Sequence, residues 1–155
     1  MICSAQSIPE GIVTPWVGRT MQCSVTGMSY GLSCCGYDVR LKQDLWLMPQ
    51  GMRLGSTLER FQMPDWLMAR VCDKSTLARR GVQVFNTVIE PGWEGWLTLE
   101  IKNQTWLPIR LRAGQPIAQI IFEGLDQPTN RPYRGKYQNQ ANEPVGAITH
   151  GYADV

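Results

Sequence analysis

The sequence predicts an all-β domain, a distorted β-barrel or jelly-roll-like sandwich with one short helix. Fifteen Gly and ten Pro residues are spread along the 155 residues of the chain, and such frequent breaks suit many short strands better than long helices. Between the breaks, apolar residues mostly alternate with polar ones, which is the period of a strand. Because this length fits one hydrophobic core, we expect residues 1–155 to form a single domain.

Short strands joined by turns are predicted for the N-terminal part of the chain. Its first stretch is rich in Gly, Ser, Thr and Met, which indicates loop with short pieces of strand. Farther along, Tyr37, Val39 and Leu41 alternate with polar residues, as in a half-buried strand. Pro-containing turns at 49–51 and 63–64 end the strands that follow. The predicted strands cover residues 12–17, 37–42, 45–47 and 57–61.

The segment PDWLMARVCDKSTLARRG predicts a turn followed by the one short helix. Residues 75–80 form the helical stretch, and either Ser75 or Asp73 would serve as its N-cap. Gly81 is expected to stop the helix at its C-terminal end.

The second half of the chain has an almost continuous β pattern. In the strand that contains Leu99, the side chains of Leu97, Leu99 and Ile101 share one face and Glu100 lies on the other. Gly-containing turns separate this strand from its neighbours. The predicted strands cover residues 82–86, 95–101, 107–111 and 116–123.

Residues 126–155, called the tail below, are rich in Pro, Asn, Gln, Gly and Arg. Such a segment cannot form a core of its own, so it is either disordered or folded over something else. Its stretch RPYRGKYQNQ mixes basic and aromatic side chains with two amides. A flexible segment of this kind suits closure over a charged planar ligand such as a nucleotide, and the alternative is a disordered tail that only adds solubility.

Charge and hydropathy exclude two classes of partner. Fifteen Lys and Arg residues face thirteen Asp and Glu residues, for a net charge of +2, which argues against a dedicated nucleic-acid surface. No run approaches the roughly 20 apolar residues that span a bilayer, and no signal peptide is visible. We expect a cytoplasmic protein, of a bacterium or a phage-infected host, with no membrane partner.

The Cys and His residues exclude most metal sites. The five Cys residues form no C-x-x-C pair, so we expect reduced, structural thiols, with Cys34 and Cys35 on opposite sides of an extended strand. Since His150 is the one His, a site that needs two imidazoles cannot be built within one subunit.

Glu100 is the first candidate for chemistry, because it lies in mid-strand opposite a core face. One interpretation is an isolated charge on a solvated face. The other is a carboxylate desolvated by Trp96 on the same face, a setting that suits general acid/base work. Strand spacing alone leaves both open.

The run DKSTLARR is the second candidate. Hydroxyls and free N–H groups at a helix start, with Lys74, Arg79 and Arg80 nearby, would suit an anion. The alternative is an ordinary capped helix with solvated basic side chains.

Five blocks carry a family resemblance: SYGLSCCGYDVRL, DKSTLARRG, NTVIEPGWEGWLTLEIKN, RAGQPIAQIIFE and RPYRGKYQNQ. In order and at nearly the same spacing, they resemble the dCTP deaminase branch of the dUTPase-like family, over about residues 29–140. The resemblance implies a homotrimer of distorted β-barrel subunits, with active sites between subunits and the tail closing over bound nucleotide.

The implied reaction converts dCTP and water to dUTP and ammonia without a catalytic zinc, and Mg²⁺ arrives on the triphosphate. Glu100 would be the proton shuttle, with Ser75 and Arg79 in the same site. The residues that the resemblance assigns to nucleotide binding are Lys74, Ser75, Thr76, Leu77, Ala78, Arg79, Asn86, Thr87, Glu90, Thr98, Leu99, Glu100, Gln119, Tyr133, Lys136 and Gln140.

The match departs from the family pattern at Glu90, where the family almost always has Asp. In the dUTPase branch that Asp activates the water that attacks the α-phosphate, so the longer side chain speaks against dUTP hydrolysis. Asn86 and Thr87 also differ from the usual residues, which bears on base preference. The alternatives are a dUTP diphosphatase or bifunctional enzyme that yields dUMP and pyrophosphate, and a non-catalytic nucleotide-binding regulator.

Overall fold

Strands dominate the computed structural model, which describes residues 1–149. A 3-10 turn at Ala5–Ser7 and one α-helical turn, α1 (Ser75–Ala78), are the helical elements of these residues. The strands are β1 (Val13–Thr14), β2 (Thr20–Gln22), β3 (Ser29–Leu32), β4 (Tyr37–Arg40), β5 (Leu45–Leu47), β6 (Met52–Gln62), β7 (Leu67–Asp73), β8 (Val82–Val84), β9 (Val88–Ile89), β10 (Glu94–Asn103), β11 (Ile109–Leu111) and β12 (Pro116–Gly124).

The strands form three antiparallel sheets. The largest has the order β2-β3-β4-β12-β7-β9, a second has β1-β6-β10-β8, and β11 pairs with β5 alone. Apolar side chains from the two larger sheets meet in one core, where Leu99 and Ile101 of β10 and Ile120 and Phe122 of β12 are fully buried. The predicted all-β fold with one short helix is confirmed, and the homotrimer stays a prediction.

Strand β7 was missed by the sequence prediction, which expected only a turn and a helix in its segment. Leu67, Ala69 and Val71 alternate as the buried positions of β7, and the strand pairs with β12 along its length. The strand period is masked in the sequence because the outward Met68 and Cys72 are themselves apolar.

The helix is shorter than predicted and has a different N-cap. Lys74 is the N-cap residue, and no side chain caps the helix. Neither Ser75 nor Asp73 does so, since the Asp73 carboxylate instead accepts a hydrogen bond from the Val84 N–H at 2.6 Å. Gly81 follows the helix with φ of +77°, as expected of a C-terminal stop.

Two local expectations were wrong. Cys34 and Cys35 lie in the turn between β3 and β4 and are both exposed, because the chain reverses where Ser33 N–H donates to the Gly36 carbonyl at 2.8 Å. They are therefore not in an extended strand. Leu107 lies outside β11 and is 73% exposed.

Within residues 1–149, no helical segment has the length and apolar character that crossing a membrane requires.

The described part of the tail folds back onto β10 of its own chain. Asn139 N–H donates to the Glu94 carbonyl at 3.0 Å, and Trp96 N–H donates to the Gln140 carbonyl at 3.2 Å. These contacts favour the folded interpretation of the tail at residues 139–140, and closure of the tail over a nucleotide stays a prediction.

Candidate functional site

A cavity of about 520 Å³ lies between β10 and the tail. Its floor comes from the outer face of β10, one wall comes from residues around β9, and the tail forms the cover. The residues that line it are Met52, Leu54, Thr87, Val88, Ile89, Glu90, Trp93, Leu97, Thr98, Glu100, Tyr133, Tyr137, Gln140, Val145, Gly146 and Ala147.

Glu100 places an unpartnered carboxylate oxygen in this cavity. The strand is fixed on both sides, because Glu100 pairs in register with Leu54 of β6 and its carbonyl accepts from the Phe85 N–H at 3.0 Å. Its Oε2 is buried and has no hydrogen-bond partner among the described residues. Since buried polar atoms are nearly always paired, this oxygen is available to a ligand or a water, and a freely solvated face does not describe it.

The β10 edge beside Glu100 is covered by the tail. Strand β8 pairs with β10 only at residues 101–103, so the N–H of Thr98 lacks a partner strand on that side. It donates instead to Gln140 Oε1 at 3.3 Å, while the Thr98 hydroxyl accepts from the Val145 N–H at 3.0 Å. The tail thus binds both the backbone N–H and the side-chain hydroxyl of Thr98.

Two features of the Glu-Pro-Gly-Trp-Glu-Gly stretch hold the tail in place. Trp93 donates its ring N–H to the Tyr137 carbonyl at 2.7 Å. Gly95 has φ of +141°, and a Cβ there would stand 2.6 Å from the backbone nitrogen of Gln140. Gly95 is therefore needed both for its backbone angle and for the close approach of the tail.

Six of the residues assigned from the resemblance meet around this cavity. They are Thr87, Glu90, Thr98, Glu100, Tyr133 and Gln140. Leu99 is fully buried on the core side of the same strand. Asn86 and Lys136 do not line the cavity, and the Lys136 ammonium donates to the Ile148 carbonyl. The sequence reasoning missed Trp93 and the apolar cover at 145–147. A single Trp and the composition of the tail are only weak indications of a binding site.

The other assigned residues lie elsewhere on the chain. Lys74 forms an ion pair with the buried Asp38 at 2.7 Å, and Gln119 donates its amide N–H to Ser33 Oγ at 3.0 Å. Leu77 is buried in the core, whereas Ser75 and its helix neighbours are exposed. The exposed neighbours are Thr76, Ala78 and Arg79. Residues 74–79 together with Gln119 are called the helix region below, and none of them lines the cavity.

Acidic side chains lie at the cavity, and basic side chains lie in the helix region. The cavity has two carboxylates, Glu90 and Glu100, and no Lys or Arg among the described residues that line it. The helix region carries Lys74 and Arg79. A nucleotide triphosphate needs cations around its phosphates, and the cavity of one chain supplies none.

Two buried ion pairs also escaped the sequence prediction. Asp38 was expected on the solvated face of a half-buried strand, but it is buried because Lys74 covers it. Glu59 is fully buried and accepts from Arg40 Nε at 2.7 Å. Burial raises the pKa of Glu59, although hydrogen bonds from Arg40 act to lower it.

A metal-binding cluster is absent from residues 1–149, since no three His, Cys, Asp or Glu side chains there come together as ligands. His150 lies outside the described residues.

Comparisons with proteins of known sequence agree with one another. A sequence profile of the family described as dCTP deaminase-like matches residues 32–125. The dCTP deaminase of Campylobacter hominis is 34% identical over 94% of this chain and 93% of that protein. The dCTP deaminase of Helicobacter pylori (strain G27) is 32% identical over 86% of this chain and 88% of that protein.

Solved dUTPase structures share the fold. EIAV dUTPase superposes with a TM-score of 0.54 at 23% identity, over 65% of this chain and 84% of that one. The dUTPase of Staphylococcus bacteriophage 80alpha gives a TM-score of 0.56 at 16% identity, over 72% and 85% of the two chains. At these identities the likeness extends to the fold alone.

Proposed function

This chain belongs to the dCTP deaminase-like family, and from that premise we propose that it converts dCTP and water to dUTP and ammonia. The observation that carries the proposal is Glu100 Oε2, a buried carboxylate oxygen without a partner among the described residues, in a cavity of about 520 Å³. A cavity of this size suits a ligand as large as a nucleotide.

Glu100 acts as the proton shuttle in this proposal. Its carboxylate takes a proton from a water, and the resulting hydroxide forms a bond to C4 of cytosine. Glu100 passes this proton to N3 of the base. It then moves the proton of the new C4 hydroxyl to the amino group, and the C4–N4 bond breaks as the C4 carbonyl forms, so that ammonia leaves. The unpartnered Oε2 supports this role, because no cation or hydrogen-bond donor of the described residues competes for it.

We infer that the complete site needs a second subunit. The cavity offers carboxylates and no cation, and the cations of the helix region lie outside it. A homotrimer that brings Lys74, Ser75, Arg79 and Gln119 of one subunit to the cavity of another would supply the phosphate contacts. Mg²⁺ is proposed to enter with the triphosphate as part of the substrate, and the substrate is a metabolite of the cytoplasm, which supports a cytoplasmic location.

The test is ammonia release from dCTP with Mg²⁺. Glu100→Gln is expected to lower kcat about a hundredfold or more, the usual contribution of a general acid/base. Glu94→Gln, on the same strand, removes a carboxylate that pairs with Arg60 at the surface and is the matched control, expected to stay within about twofold. No ammonia from the wild type, or equal release by Glu100→Gln, would contradict the proposal.

A second candidate function is hydrolysis of dUTP, alone or after deamination. The position of Glu90 supports it, because this carboxylate lines the same cavity as Glu100 where the resemblance places the dUTPase Asp, whereas the length of the Glu side chain speaks against it. Chromatography of the same reaction separates the candidates. Accumulation of dUTP excludes bifunctional hydrolysis, dUMP with pyrophosphate supports it, and tight nucleotide binding without any product supports a regulator.

A further inference from the structure

The Gln140 side chain takes a position that the main chain of a neighbouring strand would normally fill. The Gln140 carbonyl accepts from Trp96 N–H, and one ladder step later its side-chain Oε1 accepts from Thr98 N–H at 3.3 Å. The side chain thus continues the short parallel bridge between Gly95 and Gln140. The only hydrogen bond of the Gln140 carboxamide among the described residues is this one to Thr98.

A carboxamide resembles the edge of a pyrimidine base in its hydrogen-bonding groups. Both are planar. The carboxamide sets its oxygen acceptor beside an NH2 donor, and cytosine sets its N3 acceptor beside the N4 amino donor, with the carbonyl O2 as a second acceptor. The Thr98 N–H lies on the edge of β10 that pairs with no strand and that the tail covers, at the floor of the cavity and two residues from Glu100. The Gln140 carboxamide and a base that reaches Glu100 therefore suit the same donor.

We propose that the tail is an intramolecular competitor of the pyrimidine, in which the Gln140 carboxamide and the base contend for the Thr98 N–H. This inference rests on the proposed function, since it takes the ligand of the cavity to be a pyrimidine nucleotide. The competition lowers the apparent affinity for the base and leaves the Gln140 side chain free for another contact when the base is bound.

The tail is anchored independently of Gln140, so the side chain is able to leave while the segment stays docked. Gln138 receives the Glu94 N–H at 3.1 Å and donates to the Gly92 carbonyl at 2.9 Å. Trp93 donates to the Tyr137 carbonyl. These bonds keep the Gln140 carboxamide close to Thr98, which gives a weak single hydrogen bond a high effective concentration.

Binding of 2′-deoxycytidine, which has no phosphates, isolates the competition from any phosphate contact. Calorimetry is expected to show that Gln140→Ala binds this nucleoside about threefold to tenfold more tightly than the wild type, the effect of removing one competing hydrogen bond. Gln140→Glu retains an acceptor oxygen for Thr98 and is expected to gain nothing. Asn142→Ala, whose exposed side chain forms no hydrogen bond among the described residues, is the control and is expected to match the wild type.

Several results would overturn the competition. They are equal or weaker nucleoside binding by folded Gln140→Ala, an equal gain in Gln140→Glu, and no nucleoside binding by any of the proteins. Since these are binding measurements, the proposed function fails separately: a wild type that releases no ammonia while Gln140→Ala binds deoxycytidine more tightly would reject the deaminase and retain the competition.

Discussion

Individual carboxylates in this protein differ in whether a cation accompanies them. Glu59 is buried with Arg40, and Asp38 is buried with Lys74. Burying a charge without a partner is costly, and in each pair the cation offsets that cost for the carboxylate. Asp38 Oδ1 and Glu100 Oε2 are both buried without a hydrogen-bond partner among the described residues, but only Asp38 has a cation on its other oxygen, which agrees with the role proposed for Glu100.

The buried Glu59 predicts a pH dependence of stability. Its pKa is raised above the ordinary 4.5 mainly by burial, so the folded protein holds the Glu59 proton to a higher pH than the unfolded chain does. The stability from Glu59 is therefore complete below about pH 4.5 and is lost as pH rises through the folded-state pKa. As the pH rises from 4 to 7, the melting temperature of the wild type should therefore fall relative to that of Glu59→Gln, as measured by thermal unfolding.

The comparison of the wild type with Glu59→Gln needs a control variant that removes one negative charge from the surface and leaves the buried groups unchanged. Glu143→Gln removes an exposed tail carboxylate and serves that purpose. A difference between the wild type and Glu59→Gln that stays constant or grows with pH would show that the Arg40 contact outweighs the burial of Glu59.

At the scale of elements, the strands with clear alternation were predictable from the sequence. The predicted strands at 45–47 and 116–123 match β5 and β12 closely, because their apolar faces and their turns agree. Strand β7 was not predictable, since apolar residues on both faces hide its period. The site was predictable only in part: Glu100 stood out on its strand, whereas the cover at 145–147 depends on tertiary contacts that leave no periodic signal.

Gly95 predicts how the tail can be detached. An Ala side chain there would meet the Gln140 nitrogen at 2.6 Å and would also strain a φ of +141°. Gly95→Ala should therefore release the tail, and trypsin should cut at Arg134 and Lys136 roughly tenfold faster than in the wild type.

The control for backbone strain alone is Gly114→Ala. Gly114 has φ of +78°, and a Cβ there would meet nothing within 4 Å, so this variant should lose some stability and keep the tail docked. Equal cleavage of the wild type and Gly95→Ala would mean that the tail tolerates the added methyl group.

At the scale of the whole molecule, the single chain keeps the carboxylates and the cations of the proposed nucleotide site apart. The cavity holds the carboxylates, and the helix region holds the cations. The surface also exposes large apolar side chains, with Trp46 at 56% and Trp106 at 81% exposure.

Mixing two inactive variants tests whether the carboxylates and the cations come from different subunits. If Glu100 of one chain works with Arg79 of another, Glu100→Gln and Arg79→Ala are each inactive alone. Trimers formed by refolding the two together in equal amounts should regain about a quarter of the wild-type sites, since half of the chains supply each intact half-site. Ammonia release from dCTP measures the recovery, and light scattering verifies an assembly of three chains.

The control is a mixture of Glu100→Gln with Glu100→Ala, which should recover no activity. If the mixture of Glu100→Gln with Arg79→Ala is no more active than either variant alone, Glu100 and Arg79 belong to one subunit.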